Sequence, residues 1–410
     1  MIDQLPAASH NIRSNFPALS RHFKGRPVAY FDSPGGTQIA KAAIDGMLDY
    51  LVHHNANTHW TYPSSEETDQ TIAAARAAMV RLLNAASSDE IVFGANMTTL
   101  TLHLSRALGR QCAPGDEIVV TELDHHANVD PWYEMARDYN LVVKKTRMTP
   151  SCEIDYDDLH SKISARTRIV AIGAASNAFG TINDVEAMVR AAKRVGALTI
   201  VDAVHYASHE CIDVRRWDCD FLLCSSYKFY GPHLGILYGK RKLLAQLDVP
   251  KLLPAANTPP ESWETGTQNH EGIAGLAKLV DFMTDLSEGA TPRERIMSTF
   301  ARLATEGHSQ LARLWNGIGD IPNARVFGVQ PSKKRTPTLS FEIENVSSQT
   351  VARHLREDAI FASHGDFYAQ TAVQRVSSGG SIVRLGCAWY TTDDEVERVL
   401  SSLRRLRKGH

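Results

Sequence analysis

Short apolar runs alternate with amphipathic stretches from about residue 90 to about residue 240. The strand-like runs are 90–93, 117–121, 141–146, 169–174, 198–202, 221–224 and 236–238. Helix-like stretches lie between most of them, at 98–108, 130–138 and 185–194. This alternation predicts an α/β fold, in which a mostly parallel sheet carries helices on both faces.

The chain has 410 residues, enough for two or three domains. The first 60 residues predict an arm that leads into a helix over 39–52. Ser64 and Glu67 match a capping box at the beginning of a second helix. After about residue 290 the pattern changes to a long helix followed by shorter strands and helices. We therefore predict three parts: 1–60, an arm and helix belonging to a small domain; 61–290, a large α/β domain; and 291–410, a smaller C-terminal α+β domain.

In such sheets, ligands bind outside the carboxyl ends of the strands. Lys228 follows the run 221–224, and Ser225 lies between them. Burial at that place disfavours the charged lysine, and a neutral amine can form a Schiff base with an aldehyde. The alternative is a lysine that extends from the strand end to solvent.

Asp202 ends the neighbouring run 198–202. Pyridoxal 5′-phosphate (PLP) is an aldehyde whose ring nitrogen needs a carboxylate partner. An aspartate at this place can also simply cap a loop, but its pairing with Lys228 favours a PLP site.

Three further stretches follow strands. Asn96 and Met97 open a helix, whose amino end suits a phosphate, and Ser225 and Tyr227 add hydroxyls; a simply capped helix is the alternative. A histidine in the Asp124–Asn128 stretch can stack on the PLP ring and exchange protons near neutral pH. An amide in the Ser176–Thr181 stretch can hold a ring oxygen or a substrate carboxylate.

Arg384 lies in an otherwise apolar run, 382–386. A buried guanidinium needs an anionic partner, and the carboxylate of a substrate is one candidate. A carboxylate within the protein is the other.

Several classes of function are not favoured. The net charge is −2, and the only basic run is near 404–408, so neither nucleic acid nor an anionic membrane is expected as a partner. The histidine pairs 125/126 and 205/209 lack a third ligand, so no metal is expected. The six cysteines show no CxxC spacing and the first residues show no signal pattern, so we expect reduced thiols and a cytoplasmic location. The phosphate-binding glycine motifs of nucleotide-binding proteins are missing.

Taken together, the motifs resemble the class V aminotransferase family of fold type I PLP-dependent enzymes, and most closely its cysteine desulfurase-like branch. The resemblance runs from about residue 30 to about residue 403. The stretches that carry it are Asp124–Asn128 with Pro131 and Trp132, Ser176 and Asn177 with Gly180 and Thr181, Asp202 with His205, Ser225–Lys228 with Tyr230–Pro232, Glu264–Thr267, and Arg384.

The resemblance implies a role for each matching residue. Lys228 would carry PLP and move protons, Asp202 would pair with the ring nitrogen, and His125 would stack on the ring; these three are the predicted catalytic residues. Asn177 and His205 would lie near the ring oxygen. The phosphate ligands would be Asn96, Met97 (through its backbone), Ser225 and Tyr227. Thr267 would reach the phosphate of the neighbouring subunit, which implies a homodimer, and Arg384, with Asn177, would bind the substrate amino acid.

One departure from the family decides the predicted reaction. The desulfurases carry a cysteine shortly before the arginine strand, and Tyr368 stands there in this chain. The prediction is therefore a PLP-dependent lyase or transferase that acts through a Cα carbanion, first a β-eliminating C–S lyase. The alternatives are a class V aminotransferase, an isopenicillin N-type epimerase, a true cysteine desulfurase, and a PLP-binding protein without turnover.

Overall fold

The structure, a computed structural model, describes residues 12–406. The strands are β1 (His22–Phe23), β2 (Arg26–Pro27), β3 (Ala29–Tyr30), β4 (Ile91–Gly94), β5 (Glu117–Thr121), β6 (Val142–Thr146), β7 (Thr167–Gly173), β8 (Leu198–Asp202), β9 (Phe221–Ser225), β10 (Gly235–Gly239), β11 (Ala324–Phe327), β12 (Thr338–Ile343), β13 (Ile360–Phe361), β14 (Ser363–Gly365) and β15 (Ile382–Gly386). The α-helices are α1 (Lys41–Asp49), α2 (Pro63–Leu83), α3 (Met97–Gly109), α4 (Asp130–Tyr139), α5 (Tyr156–Lys162), α6 (Val185–Lys193), α7 (Val214–Trp217), α8 (Arg241–Gln246), α9 (His270–Asp285), α10 (Pro292–Gly319), α11 (Ser348–Glu357), α12 (Gln370–Val376) and α13 (Asp393–Arg404).

A seven-stranded sheet forms the centre of the molecule, in the order β4-β10-β9-β8-β7-β5-β6. Strands β5 to β9 pair in parallel, and β10 runs antiparallel between β4 and β9. The predicted α/β fold with a mostly parallel sheet is therefore confirmed. The predicted runs match these strands to within one or two residues at each end.

Both faces of the sheet are buried along its central strands, which explains why these strands are mostly apolar, whereas the edge strand β6 is only partly buried. Side chains alternate between the faces, so Val170 and Leu222 contribute to one core and Ile169 and Leu223 to the other. Helices α6 and α9 cover the first face, whereas α3 and α4 cover the second.

The C-terminal part contains a four-stranded antiparallel sheet, in the order β11-β12-β15-β14. Helices α10, α11 and α13 pack on it around Leu314, Leu355 and Leu400. The early strand β3 pairs in parallel with β13, which joins the N-terminal arm to this part of the chain. The exact division at residues 60 and 290 stays a prediction.

One local prediction is wrong. Helix α2 begins at Pro63 with Tyr62 at the N-cap, and no side chain caps it, so Ser64 and Glu67 form no capping box. Proline suits the first helical position because the N–H that it lacks would have no partner there. The first predicted helix ends as an α-helix at Asp49 and continues through one wider π turn, Tyr50–His54. None of the helices in the described part of the chain is long and apolar enough to span a bilayer.

Arg335 joins the two parts of the molecule. Its buried guanidinium donates to the backbone carbonyls of Val329 and Thr338 and, at 2.8 Å, to that of Phe179, which follows β7. These three acceptors lie far from solvent, so the arginine satisfies groups that would otherwise be unpaired.

We predict that Arg335→Leu lowers the free energy of unfolding by at least about 3 kcal/mol, because it leaves several buried carbonyls without donors. Urea unfolding followed by circular dichroism measures the change. The matched control is Arg325→Leu, which removes an exposed arginine 3.7 Å from Glu342 and should cost less than about 1 kcal/mol. Equal losses for both variants would contradict the prediction.

Candidate active site

Two adjoining cavities lie at the carboxyl ends of the sheet strands. The inner cavity, of about 440 Å³, is lined by Asn96, Met97, Thr98, Asp124, His125, Ala127, Gly173, Ala175, Asn177, Asp202, Val204, His205, Ser225, Tyr227, Lys228 and His233. The outer cavity, of about 660 Å³, is lined by Gly35, Thr98, Leu102, His125, His126, Ala127, Asp130, Pro131, Glu134, Asn177, Tyr227, Lys228, Phe367, Tyr368 and Arg384. Every predicted site residue except Arg384 and Thr267 lines the inner cavity, and Arg384 lines the outer one.

Lys228 lies at the junction of the two cavities. Strand β9 ends at Ser225, and a single 3₁₀ turn, Ser226–Lys228, carries the lysine away from the sheet. Its Nζ donates to the Pro34 carbonyl at 2.6 Å. Burial, and then the charge of Arg384, lowers the pKa of Lys228 to about 7, while Asp202 opposes the shift. The amine is therefore partly neutral near neutral pH, as its chemistry requires.

Asp202 is the last residue of β8 and is buried. One carboxylate oxygen accepts the Val204 N–H at 2.8 Å. Burial raises the pKa of Asp202 to about 6, and Lys228 partly offsets this. A second buried carboxylate, Asp124, has its pKa raised to about 7 by burial and by the charge of Asp202. A cationic group in the inner cavity would stabilise the ionised form of Asp202.

His125 is neutral in this environment. Its Nδ1 accepts the Ala127 N–H at 2.9 Å, which leaves the ring proton on Nε2. Burial, and then the charge of Lys228, lowers the pKa of His125 to about 4. The ring of Tyr368 stacks on the imidazole at 5.5 Å with an interplanar angle of 20°.

His205 is held by two threonines from the C-terminal part of the chain. Its Nε2 lies 3.0 Å from the hydroxyls of both Thr336 and Thr338. Burial drives the pKa of His205 well below its usual value, so the ring is neutral.

The amino end of α3 faces the inner cavity. Asn96 caps the helix by accepting the Thr99 N–H at 2.9 Å. The Met97 N–H donates to the hydroxyl oxygen of Ser225 at 2.9 Å, so this amide already has a partner within the protein. The Tyr227 ring stacks on His233 at 4.9 Å.

Arg384, in β15, is buried without an ion pair. One guanidinium nitrogen donates to the Asn177 carbonyl at 2.8 Å, and Nε has no partner. Within residues 12–406 no carboxylate oxygen lies within 4.0 Å of its side-chain nitrogens. Burial lowers the pKa of Arg384 to about 9, and Asp32 exerts only a Coulombic effect from farther away. No internal carboxylate is in direct contact with the guanidinium in this arrangement, and the binding of a substrate carboxylate stays a prediction.

Thr267 does not join these residues within one chain. It lines a third cavity beside Arg76 and Glu264, whose side chains form an ion pair at 2.8 Å. Its predicted contact with a neighbouring subunit stays a prediction.

The structure adds residues that the sequence did not reveal as part of the site, namely Asp32, His233, Thr336, Thr338 and Phe367. His233 follows the Gly231-Pro232 turn three residues after Tyr230, which is a weak local signal. The others lie far from Lys228 in sequence and have no local signal.

The residues of the inner cavity fit PLP. A desolvated lysine amine, a buried carboxylate, a neutral imidazole and a helix amino end face one space. Asn177 supplies the deciding observation: its Nδ2 donates to the Phe367 carbonyl at 2.9 Å, but its buried Oδ1 has no partner. A buried polar atom without a partner is costly, so the cavity is built for a polar ligand.

The model of the family described as aminotransferase class-V matches residues 29–399. The chain is 30% identical to a cysteine desulfurase of Serratia proteamaculans over 413 aligned positions, which cover 97% of this chain and 98% of the relative. It superimposes on the apo structure of a cysteine desulfurase from Thermococcus onnurineus with a TM-score of 0.87, at 25% identity, covering 96% of this chain and 97% of the other. For a cysteine desulfurase of Escherichia coli the TM-score is 0.84 at 25% identity, with 97% and 98% covered.

The chain belongs to the class V aminotransferase family. It is a PLP-dependent enzyme of the transferase or lyase type that processes amino acids, and it has the fold of type I PLP enzymes. The predicted family, fold class and cofactor are thereby confirmed.

We predict opposite shifts of the Lys228 pKa in two variants of the PLP-free protein. Asp202→Asn should lower it, because the carboxylate that stabilises the ammonium form is lost; Arg384→Gln should raise it, because a repelling charge is lost. Lys228 is protonated below its pKa and reactive above it. When the rate of PLP uptake is measured as a function of pH, the wild type should therefore show a midpoint near pH 7. The midpoint should lie at lower pH for Asp202→Asn and at higher pH for Arg384→Gln.

The control for this experiment is Arg375→Gln, at an exposed arginine that pairs with Glu122. Its midpoint should equal that of the wild type. The same midpoint in all variants would refute the electrostatic account.

Proposed function

We propose that this enzyme is a β-eliminating C–S lyase that acts on an S-substituted cysteine or another β-substituted amino acid. With an S-substituted cysteine, the Cα–H and Cβ–S bonds break, the sulfur leaves with the bonding electrons and takes a proton, and water then releases the remainder. The balanced products of the amino acid and one water are a thiol, pyruvate and ammonium. The observation that carries this proposal is the position of the cysteines.

None of the six cysteines lines the inner or the outer cavity. Burial raises the pKa of Cys112, Cys152 and Cys211 to about 11 and that of Cys219 to about 12, and it raises the pKa of Cys224 and Cys387 further. A sulfur acceptor must be an accessible thiolate. An enzyme with this arrangement releases the sulfur group to solvent instead of transferring it to its own cysteine.

The residues of the inner cavity are proposed to hold PLP. Lys228 would bind it covalently, Asp202 would pair with the ring nitrogen, and His125 would stack on the ring. Asn177 and His205 would contact the ring oxygen, and the phosphate would lie against Asn96, Met97, Ser225 and Tyr227. When bound, PLP withdraws electrons from Cα and so stabilises negative charge there.

Arg384 is proposed to bind the substrate carboxylate. The Phe367 ring covers its guanidinium at 3.9 Å, so the carboxylate approaches along the guanidinium edge. Lys228, with a pKa of about 7, is suited to accept the Cα proton on Nζ near neutral pH.

We also propose a homodimer in the cytoplasm. Apolar side chains are exposed on α1, on the π turn that follows it and after α8, including Leu48, Val52, Leu252 and Leu253. Exposed apolar side chains of this size are typical of surfaces that a partner covers. The six unpaired thiols suit a reducing compartment.

The expected reaction of the holoenzyme with S-methyl-L-cysteine is release of pyruvate and methanethiol in equal amounts. Lactate dehydrogenase-coupled absorbance and a thiol reagent measure the two products. An aminotransferase would instead form pyridoxamine phosphate with L-alanine and would release no pyruvate from S-methyl-L-cysteine. Alanine and persulfide from L-cysteine would identify a desulfurase.

Arg384→Ala is expected to lower kcat/KM about 10- to 150-fold, chiefly through KM, because a charge-assisted carboxylate contact is worth about 1.5–3 kcal/mol. Steady-state kinetics on the same substrate measure this. Arg375→Ala, which removes an exposed arginine outside both cavities, should keep the wild-type kcat/KM. An unchanged KM in Arg384→Ala would remove the arginine from substrate binding.

A further inference from the structure

The segment Asp366–Tyr368 has an unusual backbone. Phe367 and Tyr368 have φ angles of 57° and 55°, in the left-handed region that residues with side chains seldom adopt. Two such residues in succession persist only where surrounding contacts hold them, and such sites are often functional.

Three hydrogen bonds hold this segment. The Tyr368 carbonyl accepts the His126 N–H at 2.7 Å, and the Phe367 carbonyl accepts from Asn177 Nδ2 at 2.9 Å. The Tyr368 N–H donates to the Asp366 side chain at 3.0 Å. The first two bonds connect the segment to His126, which lines the outer cavity, and to Asn177, which lines both cavities, so its conformation is coupled to the site.

The unusual backbone turns two aromatic rings toward the site. Phe367 covers the guanidinium of Arg384, and Tyr368 stacks on His125. Tyr368 is nevertheless 74% exposed, so much of its ring surface is open to the outer cavity and solvent. An exposed aromatic ring fixed beside the carboxylate-binding arginine is a surface on which a substrate side chain can stack.

The remainder of the outer cavity has an apolar wall and no unpaired acid. Leu102 and Pro131 line it together with Tyr368. Asp130 contacts His126 at 3.0 Å and Glu134 contacts Arg137, so each of the two carboxylates has a partner within the protein. With a volume of about 660 Å³, the outer cavity accommodates a substituent far larger than a thiol.

We propose that Tyr368 is a specificity-determining residue that selects amino acids with a large apolar or aromatic β-substituent. The α-carboxylate binds Arg384, and the substituent packs between Tyr368, Leu102 and Pro131. A small polar side chain, such as that of free cysteine, leaves most of this wall without contact. The inference deepens the proposed lyase function and rests on it for the identity of the amino acid.

Binding of unreactive carboxylates tests the inference separately from turnover. The probes are 3-(benzylthio)propanoate and 3-(methylthio)propanoate, which lack the amino group and cannot react. Calorimetry on the holoenzyme should show that the benzyl probe binds at least about tenfold more tightly than the methyl probe. In Tyr368→Ala this ratio should fall about fivefold or more, whereas Tyr368→Phe should keep it because the ring is retained.

Tyr133→Ala is the matched control, since Tyr133 is a partly exposed tyrosine on α4 that lines neither cavity. It should keep the wild-type ratio. A ratio near one in the wild type, an unchanged ratio in Tyr368→Ala, or no binding of either probe would overturn the inference. Failure of the lyase proposal would give a different result: S-benzyl-L-cysteine would yield no pyruvate, although the ratio of the two probe affinities would be as expected.

Discussion

The parallel arrangement of β5 to β9 is the constraint on which the site depends. Because helices cover both faces of the sheet, polar side chains of the central strands find water or ligands only where the strands end. Asp202 is the last residue of β8, and Lys228 follows β9 by one turn. The same edge receives the amino end of α3, which begins after β4. One edge of one sheet thus collects the groups that PLP chemistry needs.

Burial of charge at this edge sets the chemistry. Lys228 and Arg384 are both desolvated, and the charge of Arg384 lowers the pKa of Lys228, while Asp202 favours the ammonium form of the lysine. Two buried cations without a carboxylate in direct contact favour a ligand that brings negative charge. The phosphate of the cofactor and the carboxylate of an amino acid are such groups, and this explains why a site of high electrostatic cost is retained.

The segment before β15 carries two aromatic rings on a constrained backbone, and it contains no cysteine. All six thiols have raised pKa values and lie outside both cavities, and the proposed lyase function rests on this arrangement. Both aromatic rings line the outer cavity.

The sequence alone predicted the elements of the central sheet, the family, the cofactor and the positions of Lys228 and Asp202 at strand ends. It could do so because hydrophobic periodicity and strand ends are local signals. Only the tertiary structure revealed the contacts that shape the site. His205 meets Thr336 at a separation of 131 residues, Asn177 meets Phe367 at 190, and Arg384 meets the Asn177 carbonyl at 207. Such contacts leave no periodic pattern in the sequence, since they depend on how the small C-terminal sheet packs against the edge of the large one.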